Sequence, residues 1–141
     1  MSFKNIRLMP TPEEIKKMEP ISPELKAIKD ENDKQLKDIF TGKDNRFVVI
    51  VGPCSADDEE AVCDYMRRLN EVKKQVADKM FIVPRVYTGK PRTTGEGYKG
   101  MMHQPDPEGA PNMVEGIKAI RRMYLRVIEE TGMPLADEML Y

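Results

Sequence analysis

Phe47-Val48-Val49-Ile50-Val51-Gly52-Pro53-Cys54-Ser55 is the stretch on which the fold turns. Five apolar, mostly β-branched residues in succession suit a strand buried on both faces, as in a parallel sheet. Gly52-Pro53 ends it, because glycine permits a sharp turn and proline then stiffens the backbone. Beyond the turn the apolar period becomes helical. Ala61, Val62, Tyr65, Met66, Leu69, Val72 and Val76 form one stripe over about Asp58 to Val76, and acidic residues load its first turn, where the helix dipole favours them. A second strand is expected from Met80 to Tyr87, then a long loop from Thr88 to about Pro111, rich in glycine, proline and charge. Asn112 suits the cap of another helix, with the stripe Val114, Ile117, Ile120, Tyr124, Leu125 and Ile128 and a stop at Thr131-Gly132. A third strand comes next, Met133 to about Leu140. This alternation makes a parallel sheet with right-handed crossovers. A doubly wound sheet and a β/α barrel both begin this way, and element order alone does not separate them.

Upstream of the first strand the chain changes character. Residues 1–45 are polar, highly charged and helix-like. Thr11-Pro12-Glu13-Glu14 carries a capping residue, a proline at the first helical position and the glutamate of a capping box. Ser22-Pro23-Glu24 repeats that start and predicts a helix to about Phe40, with Gly42 as its stop. Leu25, Ile28, Leu36, Ile39 and Phe40 recur at helical spacing, and Asn32 interrupts their stripe. So narrow an apolar face suits a helix lying on a larger body. Two units are therefore expected, a helical extension over 1–45 and an α/β body over 46–141.

The 141 residues are 40% hydrophobic and 33% charged, with a formal net charge of −1, the balance of a globular chain. Nucleic-acid binding and membrane-surface binding leave a basic footprint that is missing here. No apolar run approaches the roughly 18–20 residues of a spanning helix, and Met1-Ser2-Phe3-Lys4-Asn5 opens no signal core, so a cytoplasmic protein is expected. Cys54 and Cys63 are too few for a disulfide framework and fit no zinc spacing.

Candidate chemistry collects at the predicted strand ends, where α/β folds place their sites. Cys54 comes just after the first strand: it suits a divalent-metal ligand or a nucleophile, or a small cysteine packed at a turn. Arg85 lies in the second strand, where an unpaired charge is costly to bury. Lys90 and Arg92 flank Pro91, with Gly89, Thr93 and Thr94 beside them. Such a group suits phosphate and carboxylate, while the plainer alternative is a solvated basic loop with Arg85 paired to an internal acid. Glu138, near the end of the third strand, either faces the same site or pairs with Arg85, and Asp137 should point the other way. Gly95-Glu96-Gly97-Tyr98-Lys99-Gly100 matches no nucleotide fingerprint and reads as a flexible loop. His103, the single histidine, reads as a surface or structural residue, Cys63 as packing, and the scattered methionines as adaptable filling.

Taken in order, Val48-Val49-Ile50-Val51-Gly52-Pro53-Cys54-Ser55, Arg85-Val86-Tyr87, Lys90-Pro91-Arg92-Thr93-Thr94 and Gly97-Tyr98-Lys99-Gly100 resemble the opening of class I 3-deoxy-7-phosphoheptulonate (DAHP) synthases, over roughly residues 20–141. The resemblance implies the first three β/α units of a TIM (β/α)8 barrel behind a helical N-terminal extension. The barrel would be incomplete, since it takes roughly 250 residues. It implies the condensation of phosphoenolpyruvate with erythrose 4-phosphate, the first step of the shikimate pathway, with a divalent metal (Mn, Fe, Co or Zn) and with activity only in a full-length chain. By motif position, Cys54 resembles the metal-ligand cysteine, Arg85 and Lys90 the phosphoenolpyruvate site, and Arg92 and Thr93 the site for the phosphate of erythrose 4-phosphate. Lys90 and Glu138 take the catalytic positions. The extension implies subunit contacts in a homo-oligomer and an aromatic amino acid as feedback ligand. Met102-His103-Gln104-Pro105 departs from the loop of better-known members, so His103 receives no role. A truncated, non-catalytic interaction or regulatory module and a small phosphosugar-binding protein are the competing functions.

Overall fold

The computed structural model describes residues 7–90 and 96–138. Two helices come first, α1 (Pro12–Met18) and α2 (Pro23–Phe40). Thr11 and Glu14 form the reciprocal capping box, and Ser22 accepts the Leu25 N–H at the start of α2. The strands are β1 (Phe47–Val51), β2 (Met80–Val86) and β3 (Ala136–Asp137), and the helices between them are α3 (Glu59–Val76) and α4 (Met113–Thr131). Asp58 caps α3 and Asn112 caps α4. The strands form one parallel sheet in the order β1-β2-β3.

Register explains the place of a proline in the middle strand. β2 pairs with β1 from Phe47↔Met80 to Val51↔Pro84, then with β3 at Arg85↔Ala136 and Val86↔Asp137. Pro84 has no N–H to donate, and it stands where β2 leaves one neighbour and takes up the other. β3 is shorter than the run expected from Met133, and Met133, Pro134 and Leu135 are an unpaired approach to it. Met139 and Leu140 lie outside the described residues.

The expectation that the first strand is buried on both faces is corrected. Phe47 is 70% exposed and Ile50 60%. Among the described residues β1 has a strand neighbour on one side only, whereas β2, the middle strand and packed against α3, buries Phe81, Ile82, Val83, Pro84 and Val86. An apolar run signals intended burial but does not say which element supplies it.

The core lies between α3, α4 and the end of β2. Met66, Met123 and Met133 are fully buried there with Cys63, Val86 and Val127, and burying a methionine or valine side chain is worth roughly 1.5–3 kcal/mol relative to exposure. Arg126 of α4 fastens the two helices from outside, reaching Glu59 at 2.8 Å and Glu60 at 2.5 Å on α3. On α4 the buried side is Gly116, Ile120, Met123 and Val127, which shares only Ile120 with the stripe read from sequence. Ile117, Tyr124, Leu125 and Ile128 instead line a cavity of about 490 Å³ with Ile15 and Ile21 of the extension. The helix is apolar on two adjoining sides because it is packed on two.

Asn32 also changes meaning. It is buried, and its amide donates to the carbonyls of Ile28 and Gly132, each at 3.0 Å. The residue that breaks the apolar stripe of α2 is its polar anchor to the end of α4. Arg122 adds an ion pair to Glu19 at 2.8 Å.

Candidate active site

Gly52 ends β1 against the backbone of Arg85, and a Cβ there would stand 1.7 Å from the Arg85 carbonyl oxygen. No other residue lets the two strand ends come so close. The approach carries Pro53 and Cys54 over β2. The Arg85 guanidinium donates through Nη2 to the Pro53 carbonyl at 3.0 Å and through Nη1 to Glu138 Oε2 at 3.3 Å. Arg85 thus joins the tips of all three strands. Pairing with Arg85 is one of the two roles that the sequence leaves open to Glu138.

Lys90 completes the group. Its Nζ lies 3.7 Å from Cys54 Sγ, and Cys54 is exposed rather than packed. Arg85 and Lys90 both stand over the Tyr87 ring, at 4.9 and 5.7 Å from its centroid. The negative face of the ring attracts both and relieves the repulsion of two neighbouring cations. Cys54, Arg85, Lys90 and Glu138 therefore share one mouth at the C-terminal ends of parallel strands. Arg92 and Thr93 lie outside the described residues.

The glycine-rich loop, expected to be flexible, is fastened where it is described. Lys90 N–H donates to the Lys99 carbonyl at 2.9 Å and Met102 N–H to that of Thr88 at 3.0 Å. Gly100, at φ 94°, lies where a Cβ would be 2.2 Å from the Thr88 oxygen. His103 contributes main-chain bonds: its N–H donates to Gly100 at 3.1 Å and its carbonyl accepts from Asn112 at 2.8 Å.

Below the mouth, Asp137 points away from Glu138, as strand alternation requires. Its carboxylate accepts from the Thr88 and Tyr124 hydroxyls, from Thr88 N–H at 3.3 Å and from Glu138 N–H at 2.7 Å. Burial, and then the Asp137 carboxylate, push the Tyr124 phenol far above its ordinary pKa, so it stays a protonated donor. Beyond the direction of Asp137, nothing in the sequence signals this network, because Thr88 and Asp137 are 49 residues apart.

The DAHP synthetase I family model matches residues 19–141. This chain belongs to the DAHP synthetase I family. It is 36% identical over 134 residues to the Tyr-sensitive phospho-2-dehydro-3-deoxyheptonate aldolase of Escherichia coli K12, covering 95% of this chain and 37% of that one. With the aldolase of Corynebacterium glutamicum the identity is 38% over 133 residues, covering 94% and 36%. The structure of the Francisella tularensis aldolase superposes with a TM-score of 0.86 at 29% identity, over 99% of this chain and 40% of that one. The chain thus spans little more than a third of the length of these curated family members.

Within this family segment the described residues contain no cluster of three or more histidine, cysteine or acidic side chains able to hold a metal ion. Cys54 offers one soft donor, and one donor is not a site. No helix among the described residues is long and apolar enough to cross a membrane.

Proposed function

We propose that this chain forms part of the active site of a 3-deoxy-7-phosphoheptulonate synthase of the shikimate pathway, and that turnover belongs to a longer polypeptide containing it. The reaction joins phosphoenolpyruvate and D-erythrose 4-phosphate. A carbon–carbon bond forms between the methylene carbon of phosphoenolpyruvate and the aldehyde carbon, water adds to the phosphate-bearing carbon, and phosphate leaves that carbon as the ketone forms. Residues 46–141 would be the first three β/α units of a (β/α)8 barrel, and residues 1–45 an extension for subunit contacts and for an aromatic amino acid as feedback ligand.

The observation that carries this reading is the convergence of Arg85 and Lys90 on one mouth, 3.3 Å from Glu138 and 3.7 Å from Cys54 respectively. Two anionic substrates repel each other, and cations fixed in advance offset that repulsion without reorganising during the reaction. The planar fork of Arg85 suits the carboxylate or phosphate of phosphoenolpyruvate, which it binds while Glu138 holds the guanidinium in place. Lys90, a compact ammonium, is the proton donor for the alkoxide that forms when the aldehyde is attacked. Glu138, paired with Arg85, faces the reacting carbons. Arg92 and Thr93 take the phosphate of erythrose 4-phosphate. A divalent metal polarises an aldehyde, and Cys54 is the ligand this segment offers it. The remaining ligands are not among the described residues.

The test is phosphate release from the two substrates by the complete polypeptide that carries this segment, with manganese added. Lys90→Met and Arg85→Ala should each lower kcat/KM by roughly a hundredfold or more, the scale for losing one preorganised charge at a reacting centre. An unsubstituted preparation that releases no phosphate would overturn the proposal.

A further inference from the structure

We infer that Asp137, held by Thr88 and Tyr124, is the positioning residue that fixes Glu138 against Arg85 and so sets the phosphoenolpyruvate half of the mouth. The inference rests on the proposed reaction but draws on contacts that the reaction does not use. Glu138 sits just beyond a two-residue strand, so sheet pairing alone holds it weakly. What holds it is the preceding side chain. Asp137 accepts four hydrogen bonds, one from its neighbour's own N–H at 2.7 Å and the others from Thr88 and Tyr124. Three elements therefore meet on one carboxylate: the end of β2, the middle of α4 and the start of the segment carrying Glu138.

Thr88 ties the two halves of the mouth together. Its side chain and N–H serve Asp137, while its carbonyl accepts from Met102 and closes the loop that carries Lys90. Removing the Thr88 hydroxyl leaves a carboxylate short of a donor and frees it to swing, taking the Glu138 backbone with it. The Tyr124 hydroxyl donates to the same Asp137 oxygen as the Thr88 hydroxyl, and Tyr124 also lines the cavity beneath the extension. None of these groups reaches the mouth, so they act through Glu138 and Arg85.

The test compares Thr88→Val, which keeps the shape and removes the hydroxyl, with Thr88→Ser, which restores it, and with Tyr124→Phe, all in the complete polypeptide. Valine and phenylalanine should raise KM for phosphoenolpyruvate roughly tenfold while KM for erythrose 4-phosphate moves less than about twofold, and serine should behave as the unsubstituted protein, since small misplacements of a reacting group carry large rate costs. A crystal structure of Thr88→Val should show Glu138 beyond hydrogen-bonding reach of Arg85, against 3.3 Å here. That measurement needs no turnover. If the parent enzyme fails to condense the two substrates, the proposed function fails, and the Arg85–Glu138 separation still decides the positioning role. An undisturbed pair in Thr88→Val, equal shifts in both KM values, or a serine variant as impaired as valine would each overturn the inference.

Discussion

At the scale of single residues, the two cysteines occupy opposite environments. Cys63 is 1% exposed in the α3–α4 core, and burial pushes its thiol pKa up, so it is neither accessible nor readily ionised. Cys54 stands open at the mouth beside Lys90. A soluble alkylating reagent at neutral pH should therefore label Cys54 at least about tenfold faster than Cys63, as the dependence of thiol reactivity on exposure and ionisation requires. Peptide mass spectrometry over a time course, with and without denaturant, reads the ratio, and equal rates in the folded protein would contradict this arrangement. Much at this scale is legible in the sequence. The packing of Cys63 follows from its place beside a helical stripe, and Glu138 is one of the anionic partners the sequence offers Arg85. Tyr87 as a platform for two cations, and Thr88 and Tyr124 as donors to Asp137, are not legible. Their partners come together only when distant strand and helix ends meet.

Elements are legible where their signals are local. The caps at Thr11, Ser22, Asp58 and Asn112 lie in the residues themselves, and four helices start where those residues stand. Faces are less legible, because a helix packed on two sides shows a broad apolar band in which no single stripe is favoured. On α4, Met123 and Val127 therefore stand out less in the sequence than Ile117 and Ile128. Asn32 illustrates the same limit on α2: a polar residue in a stripe signals either an exposed break or a buried anchor, and only the Gly132 carbonyl decides. Replacing Asn32 by alanine leaves that carbonyl short of a donor, at a cost of about 1–3 kcal/mol. The loss should act locally, on the docking of the extension. Hydrogen exchange across Pro23–Phe40 in the complete polypeptide should speed up by roughly ten- to a hundredfold, with α3 unchanged. Unchanged exchange in α2 would show that the Arg122–Glu19 pair and the apolar contacts hold the extension without it.

Over the whole molecule, the sheet is asymmetric. Its β3 side is fastened to α4 through Asp137 and Tyr124, but its β1 side presents Phe47 at 70% exposure and Ile50 at 60%, with Phe40 of α2 at 77%. Phe47 and Ile50 belong to a strand that, like β3, has one strand neighbour among the described residues. Such an edge offers both unpaired backbone groups and apolar surface to another chain. The run Phe47-Val48-Val49-Ile50-Val51, which suits a strand buried on both faces, thus measures what β1 requires and does not find within this segment. A preparation of these 141 residues alone should self-associate. Sedimentation velocity over about a tenfold range of concentration should show mass rising with concentration. The double substitution Phe47→Lys and Ile50→Lys should reduce it by charging the edge without touching the α3–α4 core. The same substitutions in the complete polypeptide should do the opposite and destabilise it, because there the edge would be buried and an introduced lysine unpaired. A monodisperse monomer of the short chain at every concentration, with the double variant harmless in the long one, would mean that β1 tolerates water on its free side and that its apolar run serves some purpose other than burial.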